Sequence, residues 1–175
     1  MSSNKYRFKC AQRLACEAHT DQKYGDLPYE HHLQNVVDVL IRFGFDLHNE
    51  DEADILIAAW LHDSLEDTNL SLNKIEAYCG AEVADIVYRV TDEPGKNRKE
   101  RKEKTYPKIR ESEKAIQLKL ADRIANVKNC IDNNSSLLKM YQKEHQSFVD
   151  NLKPYSKQTN TLQMWNYLEN LIKGV

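Results

Sequence analysis

This chain predicts an all-α, single-domain fold on three observations. Long segments carry a 3.6-residue apolar period, no segment alternates with a period of two over a useful length, and only five glycines and four prolines punctuate 175 residues. The length suits one domain with a real core, and 41% hydrophobic with 30% charged residues is the balance of an ordinary globular protein. Nowhere do 18 apolar residues run together, and Met1-Ser2-Ser3-Asn4-Lys5 lacks the apolar core of a signal peptide. The expectation is a cytoplasmic protein that does not enter a membrane. Cys10, Cys16, Cys79 and Cys130 are scattered without C-x-x-C spacing, so they are expected as reduced core residues rather than zinc ligands or disulfides.

Taken in order, a first helix is expected from Phe8 to Tyr24, with Ala11, Leu14, Ala15 and Ala18 as its apolar stripe. After the turn Gly25-Asp26-Leu27-Pro28, a second runs from about Tyr29 to Phe43 and is closed by Gly44. The third, from about Glu50 to Ser64, is nearly all apolar and therefore central. Ser71 caps a short helix ending at Gly80, and Glu82 to Val90 makes another, with Val83, Ile86, Val87 and Val90 on one face. A loop at Thr91 to Gly95 leads into a basic stretch. Helices follow at about Ser112 to Ile131, Ser136 to Leu152 and Thr159 to Lys173.

The most chemically loaded stretch runs from Ala58 to Thr68. An uncharged helical segment, Ile55 to Leu61, ends in the adjacent pair His62-Asp63, and Glu66-Asp67 follows. A carboxylate taken out of water needs a partner, and for an adjacent His and Asp that partner is commonly a bound cation. Glu66 stands at i+4 from His62 and Asp67 at i+4 from Asp63, so all four are expected to line one cleft. Such a set suggests metal-assisted hydrolysis with carboxylates managing protons.

Further ligands are sought on the other helices. His31 shares a wet stripe with Asn35, Asp38 and Arg42, whereas His32 shares an inward one with Val36, Val39 and Phe43. His32 is the candidate, though a core histidine satisfied by a backbone carbonyl fits the same pattern. Asp122 and Asn126, one turn apart, border the apolar arc Ile116, Leu120, Ile124 and Val127. That border suits a cleft wall, and equally a solvated Asp122 paired with Lys119 or Arg123. The segment Lys96 to Arg110 holds eight basic and two acidic residues, a net +6 in a chain of net −2. It reads as a phosphate-binding surface or as a solvated helix knitted by pairs such as Lys96–Glu100, Lys99–Glu103 and Glu100–Lys104. No aromatic residue interleaves the basic ones before Tyr106, which argues against DNA or RNA as a partner.

The order His32, His62-Asp63, Asp122 resembles the H…HD…D signature of the HD-domain phosphohydrolases. The surrounding residues are similar to the RelA/SpoT-type guanosine polyphosphate 3′-pyrophosphohydrolases, including their small single-domain, hydrolase-only members. The motifs that carry the resemblance are Ala18-His19-Thr20-Asp21-Gln22, Pro28-Tyr29-Glu30-His31-His32, His62 to Thr68, and Leu118-Lys119-Leu120-Ala121-Asp122-Arg123. They run from about residue 11 to 127 in the family's order, and their spacing selects His32 over His31.

What the resemblance implies is one HD-type helical domain over residues 1–175, the helices of 136–173 packing on the motif-bearing part. It implies one divalent ion, usually Mn²⁺ with Fe, Co, Zn or Ni as alternatives, on His32, His62, Asp63 and Asp122. By the same carry-over, Glu66 and Asp67 are the catalytic acidic pair that orients or deprotonates water, and Asn126 contacts substrate. The implied reaction is hydrolysis of a nucleotide polyphosphate, of the (p)ppGpp 3′-pyrophosphate type. The alternatives are another phosphoester, such as a nucleoside monophosphate or NADPH, or a non-catalytic nucleotide sensor. The segment Lys23-Tyr24-Gly25-Asp26-Leu27 departs from the family by being shortened, with Lys23 its surviving base. The basic candidates for the substrate's phosphates are Lys23, Arg98, Lys99, Arg101 and Lys102.

Overall fold

The computed structural model describes residues 3–174. Helix α1 spans Ser3–Ala18 and ends six residues short of the expected Tyr24, because the Thr20 hydroxyl donates to the carbonyls of Cys16 and Glu17 and closes the last turn. Lys23–Tyr24 (β1) then pairs antiparallel with Leu27–Pro28 (β2) around the two-residue loop Gly25-Asp26, where Gly25 takes φ 64°. This minute hairpin is the departure from an otherwise all-helical chain among the described residues.

Helix α2, Glu30–Arg42, buries His32, Leu33, Val36, Val37, Val39 and Leu40 and leaves His31 exposed, as the two stripes require. Gly44, at φ 90°, donates to the Ile41 carbonyl and turns the chain out of the helix. Helix α3, Glu50–Leu61, is capped by Asn49 accepting from the Asp51 amide, and every residue from Ile55 to Leu61 is buried. A helix apolar on all sides belongs in the middle, and α3 packs against α1, α2 and the later helices α6 (Ala81–Val90) and α8 (Glu113–Asp132). It stops three residues before the expected Ser64. A one-turn helix, α4 (Ser64–Asp67), follows, then α5 (Leu72–Cys79).

The basic stretch forms helix α7, Arg98–Ile109, with Asn97 capping through the Glu100 amide. Helices α9 (Leu138–Leu152) and α10 (Thr159–Lys173) close the structure on α8. One apolar cluster runs from Ala11 through Ile55–Leu61 and Ile116–Val127 to Phe148, Trp165 and Leu168. Cys10, Cys79 and Cys130 are buried in free form and Cys16 is half-buried. Among the described residues no helix is long and apolar enough to cross a membrane.

Candidate metal centre and cleft

Where α3 ends, the His62 Nδ1–H donates to the Ala59 carbonyl at 2.8 Å, which fixes the proton on Nδ1 and leaves Nε2 facing the cluster as an acceptor. Asp63 follows directly, and its Oδ2 lies 3.0 Å from that Nε2 while accepting from the Tyr29 hydroxyl at 2.5 Å. From α2, His32 brings its Nε2 to 3.3 Å from His62 Nε2 and 3.4 Å from Asp63 Oδ2. From the middle of α8, Asp122 Oδ1 comes to 3.4 Å from His32 and 3.8 Å from His62. Residues 90 positions apart in sequence thus meet at one point.

The donor set fits a single divalent ion. Atoms bound to one ion at about 2.0–2.2 Å are spaced about 3.0–3.6 Å apart, the spacing among His32, His62 and Asp63 and from His32 to Asp122, while Asp122 stands slightly farther, 3.8 Å, from His62. Two imidazoles with two carboxylates suit a borderline metal. Burial disfavours every charged form here, yet neighbours overcome it. Asp63 and Asp122 are held well below the usual carboxylate range by His62 and His32, while the carboxylates raise His32 and push His62 up to about 10. A pocket that pulls so strongly on protons pulls on a cation. His32, His62 and Asp63 alone already form a compact ligand group.

Around this point lies a cavity of about 240 Å³, whose lining includes Glu66 and the cations Arg98, Arg101, Lys102 and Lys119. Glu66 accepts from the Asp92 amide, and burial raises its carboxyl above the ordinary value against the pull of Lys119. Asp67, expected beside it and exposed like it, is turned elsewhere: it accepts from Gln22 Nε2 at 3.0 Å and borders a shallow hollow with His19. Asp67 follows Glu66 in the one-turn helix α4, turned about 100° from it around the axis, and so leaves the cavity. Its charge is still felt at the Tyr29 hydroxyl.

Of the expected phosphate contacts, Arg98, Arg101 and Lys102 border the cavity. Arg98 is also forked onto Glu144 at 2.7 and 3.2 Å, and Lys102 onto both oxygens of Asp92 at 2.9 Å. Lys99 lies outside this cavity, 85% exposed and 3.8 Å from Glu103, in the i,i+4 pairing expected of a solvated helix. Lys23 is exposed on β1, outside the cavity. Its neighbour Tyr24 turns in instead, stacking on His32 with ring centres 4.8 Å apart and donating to Asn126 Oδ1 at 2.9 Å. Asn126 borders the cavity, with its amide donating to Asp122 Oδ1 at 2.5 Å.

Several cleft residues were not singled out from sequence. Lys119 and Arg123 were read as charged border positions, yet they are 8% and 6% exposed. The signal was present: 119, 122, 123 and 126 follow helical spacing and share one stripe. Lys119 Nζ donates to the Val90 carbonyl at 3.2 Å and sits 3.7 Å from Asp122 Oδ2; against burial, Asp122, Asp92 and Glu66 push it up to about 12. Tyr141 and Glu144 on α9 had no such signal, because their roles depend on how α9 docks.

A guanosine-3′,5′-bis(diphosphate) 3′-pyrophosphohydrolase of Xenopus tropicalis, MESH1, is 34% identical over 135 residues, 74% of this chain and 72% of that one. The guanosine-3′,5′-bis(diphosphate) 3′-pyrophosphohydrolase of Aquifex aeolicus is 36% identical over 124 residues, 67% of this chain and 17% of that longer protein. In three dimensions the chain resembles, at TM-score 0.75 and 25% identity over 93% of each, a metazoan ortholog of SpoT described as hydrolyzing ppGpp. Residues 10–148, which carry all four converging donors, match the HD domain, and this protein belongs to that family.

Proposed function

We propose that the protein is a metal-dependent hydrolase that releases pyrophosphate from the 3′ position of a guanosine polyphosphate of the (p)ppGpp type. The observation that carries this reading is the convergence of His32, His62, Asp63 and Asp122 at the floor of a cavity walled by cations. The relatives' described activity supplies the substrate class.

His32, His62, Asp63 and Asp122 would hold one divalent ion, with Mn²⁺ the favoured identity. When bound, that ion supplies positive charge to a phosphoryl oxygen and lowers the pKa of a water. Glu66, its carboxyl raised by burial, stands on the cavity wall to take the proton of the attacking water. The water oxygen bonds to the phosphorus on the ribose 3′ oxygen, that P–O bond breaks, and the proton is available to the leaving 3′ oxygen. Asp67 supports from outside the cavity through Gln22 and the field at Tyr29. Tyr29 orients Asp63, and Tyr24 with Asn126 orients His32 and Asp122. Arg98, Arg101, Lys102 and Lys119 would neutralise the phosphates, with Lys23 and Lys99 reaching them only from outside.

A substrate panel with Mn²⁺ tests this, scoring phosphate and pyrophosphate release separately. The panel includes a guanosine 3′-pyrophosphate, a nucleoside monophosphate and NADPH. Pyrophosphate released from the first, abolished by chelator, is the expected result. Phosphate release from the others alone overturns the substrate class, and binding without turnover overturns the enzyme.

A further inference from the structure

Helix α9 was expected only to pack on the domain, yet one of its stripes reaches the cleft. Tyr141, Glu144 and Phe148 stand at i, i+3 and i+7 and face α7 and α8. Tyr141 borders the cavity itself. Glu144 accepts from Arg98 Nε at 2.7 Å and Nη2 at 3.2 Å, and from Arg123 Nη2 at 3.4 Å, so one carboxylate holds two guanidinium groups. Arg123 lies against Phe148 and Tyr141, 4.5 and 4.8 Å from their ring centres. Its Nη1 is buried without a hydrogen-bond partner.

We infer that Glu144 is a positioning residue for substrate binding, itself anchored by the buried Arg123 and holding Arg98 in the orientation that receives a phosphate. This rests on the reading that Arg98 binds a substrate phosphate. A guanidinium has five N–H donors, and the parallel fork to Glu144 uses two from Arg98, leaving three for an anion. The long, rotamer-rich arginine side chain is thereby ordered before substrate arrives, so the entropy of ordering it is not lost again on binding. The trio Arg98–Glu144–Arg123 keeps a net positive charge toward the cavity. Arg98 and Arg123 together hold Glu144 ionised, below the usual carboxylate value despite burial. Lys102 is placed the same way by Asp92, so the phosphate wall is built from cations each oriented by a carboxylate behind it.

A double-mutant cycle on the metal-loaded full chain tests this, measuring KM, kcat and thermal unfolding with the pyrophosphorylated guanosine substrate. E144A is expected to raise KM by about tenfold, the scale of one charge-assisted hydrogen bond, and to change kcat by about twofold at most. In an R98A background, E144A should raise KM no further. E144Q retains the side-chain volume and is read in parallel should E144A unfold; it is expected to raise KM by a smaller factor, again only when Arg98 is present. If R98A itself leaves KM unchanged, the phosphate-binding reading of Arg98 falls and this inference with it. If R98A raises KM while E144A and E144Q do not, only the inference falls. An equal rise from E144A with and without Arg98, tracking a lowered unfolding temperature, reduces the pair to a staple of α9 and overturns it.

Discussion

At the floor of the cleft, two imidazole nitrogens lie 3.0–3.8 Å from the oxygens of Asp63 and Asp122, nearly sealed from water. On the outer wall, Arg98 and Lys102 face carboxylates of their own at 2.7–2.9 Å and remain open to the cavity. The floor is a donor set that calls for a cation; the wall is a set of cations aimed by carboxylates and still net positive toward the cavity. Losing a floor residue leaves a buried charge unpaired, whereas losing a wall residue removes one of several exchangeable contacts. Floor substitutions should therefore be all-or-none and wall substitutions graded.

The sharpest division is expected at the floor. H62A or D63A should abolish turnover and metal retention, while H31A, on the exposed face of α2, should leave both unchanged in metal analysis and assay. Chelation of the loaded protein should lower the melting temperature by about 5–10 °C, from about 2.7 kcal/mol at an ion concentration 100-fold above Kd. A H62A protein that keeps both its ion and its rate would erase the distinction between floor and wall.

Glu66, on the cavity wall beside the floor, tests whether binding and chemistry separate. E66Q should keep the ion and lower kcat by about 10²-fold, as for a lost general base. D67N, turned to Gln22 outside the cavity, should cost less than a tenth of that. Equal losses from the two would mean Asp67 acts directly on the reacting atoms.

On the wall, R98E with R101E should raise KM by more than tenfold with a smaller change in kcat, and the effect should weaken as salt rises. K99E, outside the cavity, should change KM by about twofold at most, as for a surface ion pair. Burial, aided by Lys119, lowers Lys102 to about 8. As pH rises through that value the ammonium is lost, so KM should climb above pH 8, and K102R should remove the climb. A K99E variant as impaired as R98E would mean that α7 presents a different face to substrate.

Much of the floor was legible in the sequence: His62-Asp63 stood out as the charged end of an uncharged helical segment, and Asp122 bordered an apolar arc. His32 separates from His31 by stripe alone, and motif order supplies the rest. The basic segment was ambiguous for a physical reason: both readings are correct, one for each face of α7. Residues 98, 101 and 102 turn to the cavity, while Lys99–Glu103 and Glu100–Lys104 knit the outer face. A boundary failed where side-chain bonding overrode periodicity, at Thr20 closing α1, and Asp67 parts from Glu66 because successive residues of the one-turn helix α4 face different sides. Glu144 was unreadable because its partners lie 46 and 21 residues away, on helices whose docking no local pattern encodes.

The direction in which α3 runs has a consequence for the order of events. Its N-terminal turn carries Glu50, Asp51 and Glu52, and its C-terminal end stops at His62 beside the four donors. Aligned peptide dipoles leave about half a negative elementary charge at that end, adding to Asp63 and Asp122. That end of α3 thus favours a cation over a phosphate. The ion is expected to load before the nucleotide, and at limiting metal the nucleotide should bind with an affinity that rises in step with ion occupancy.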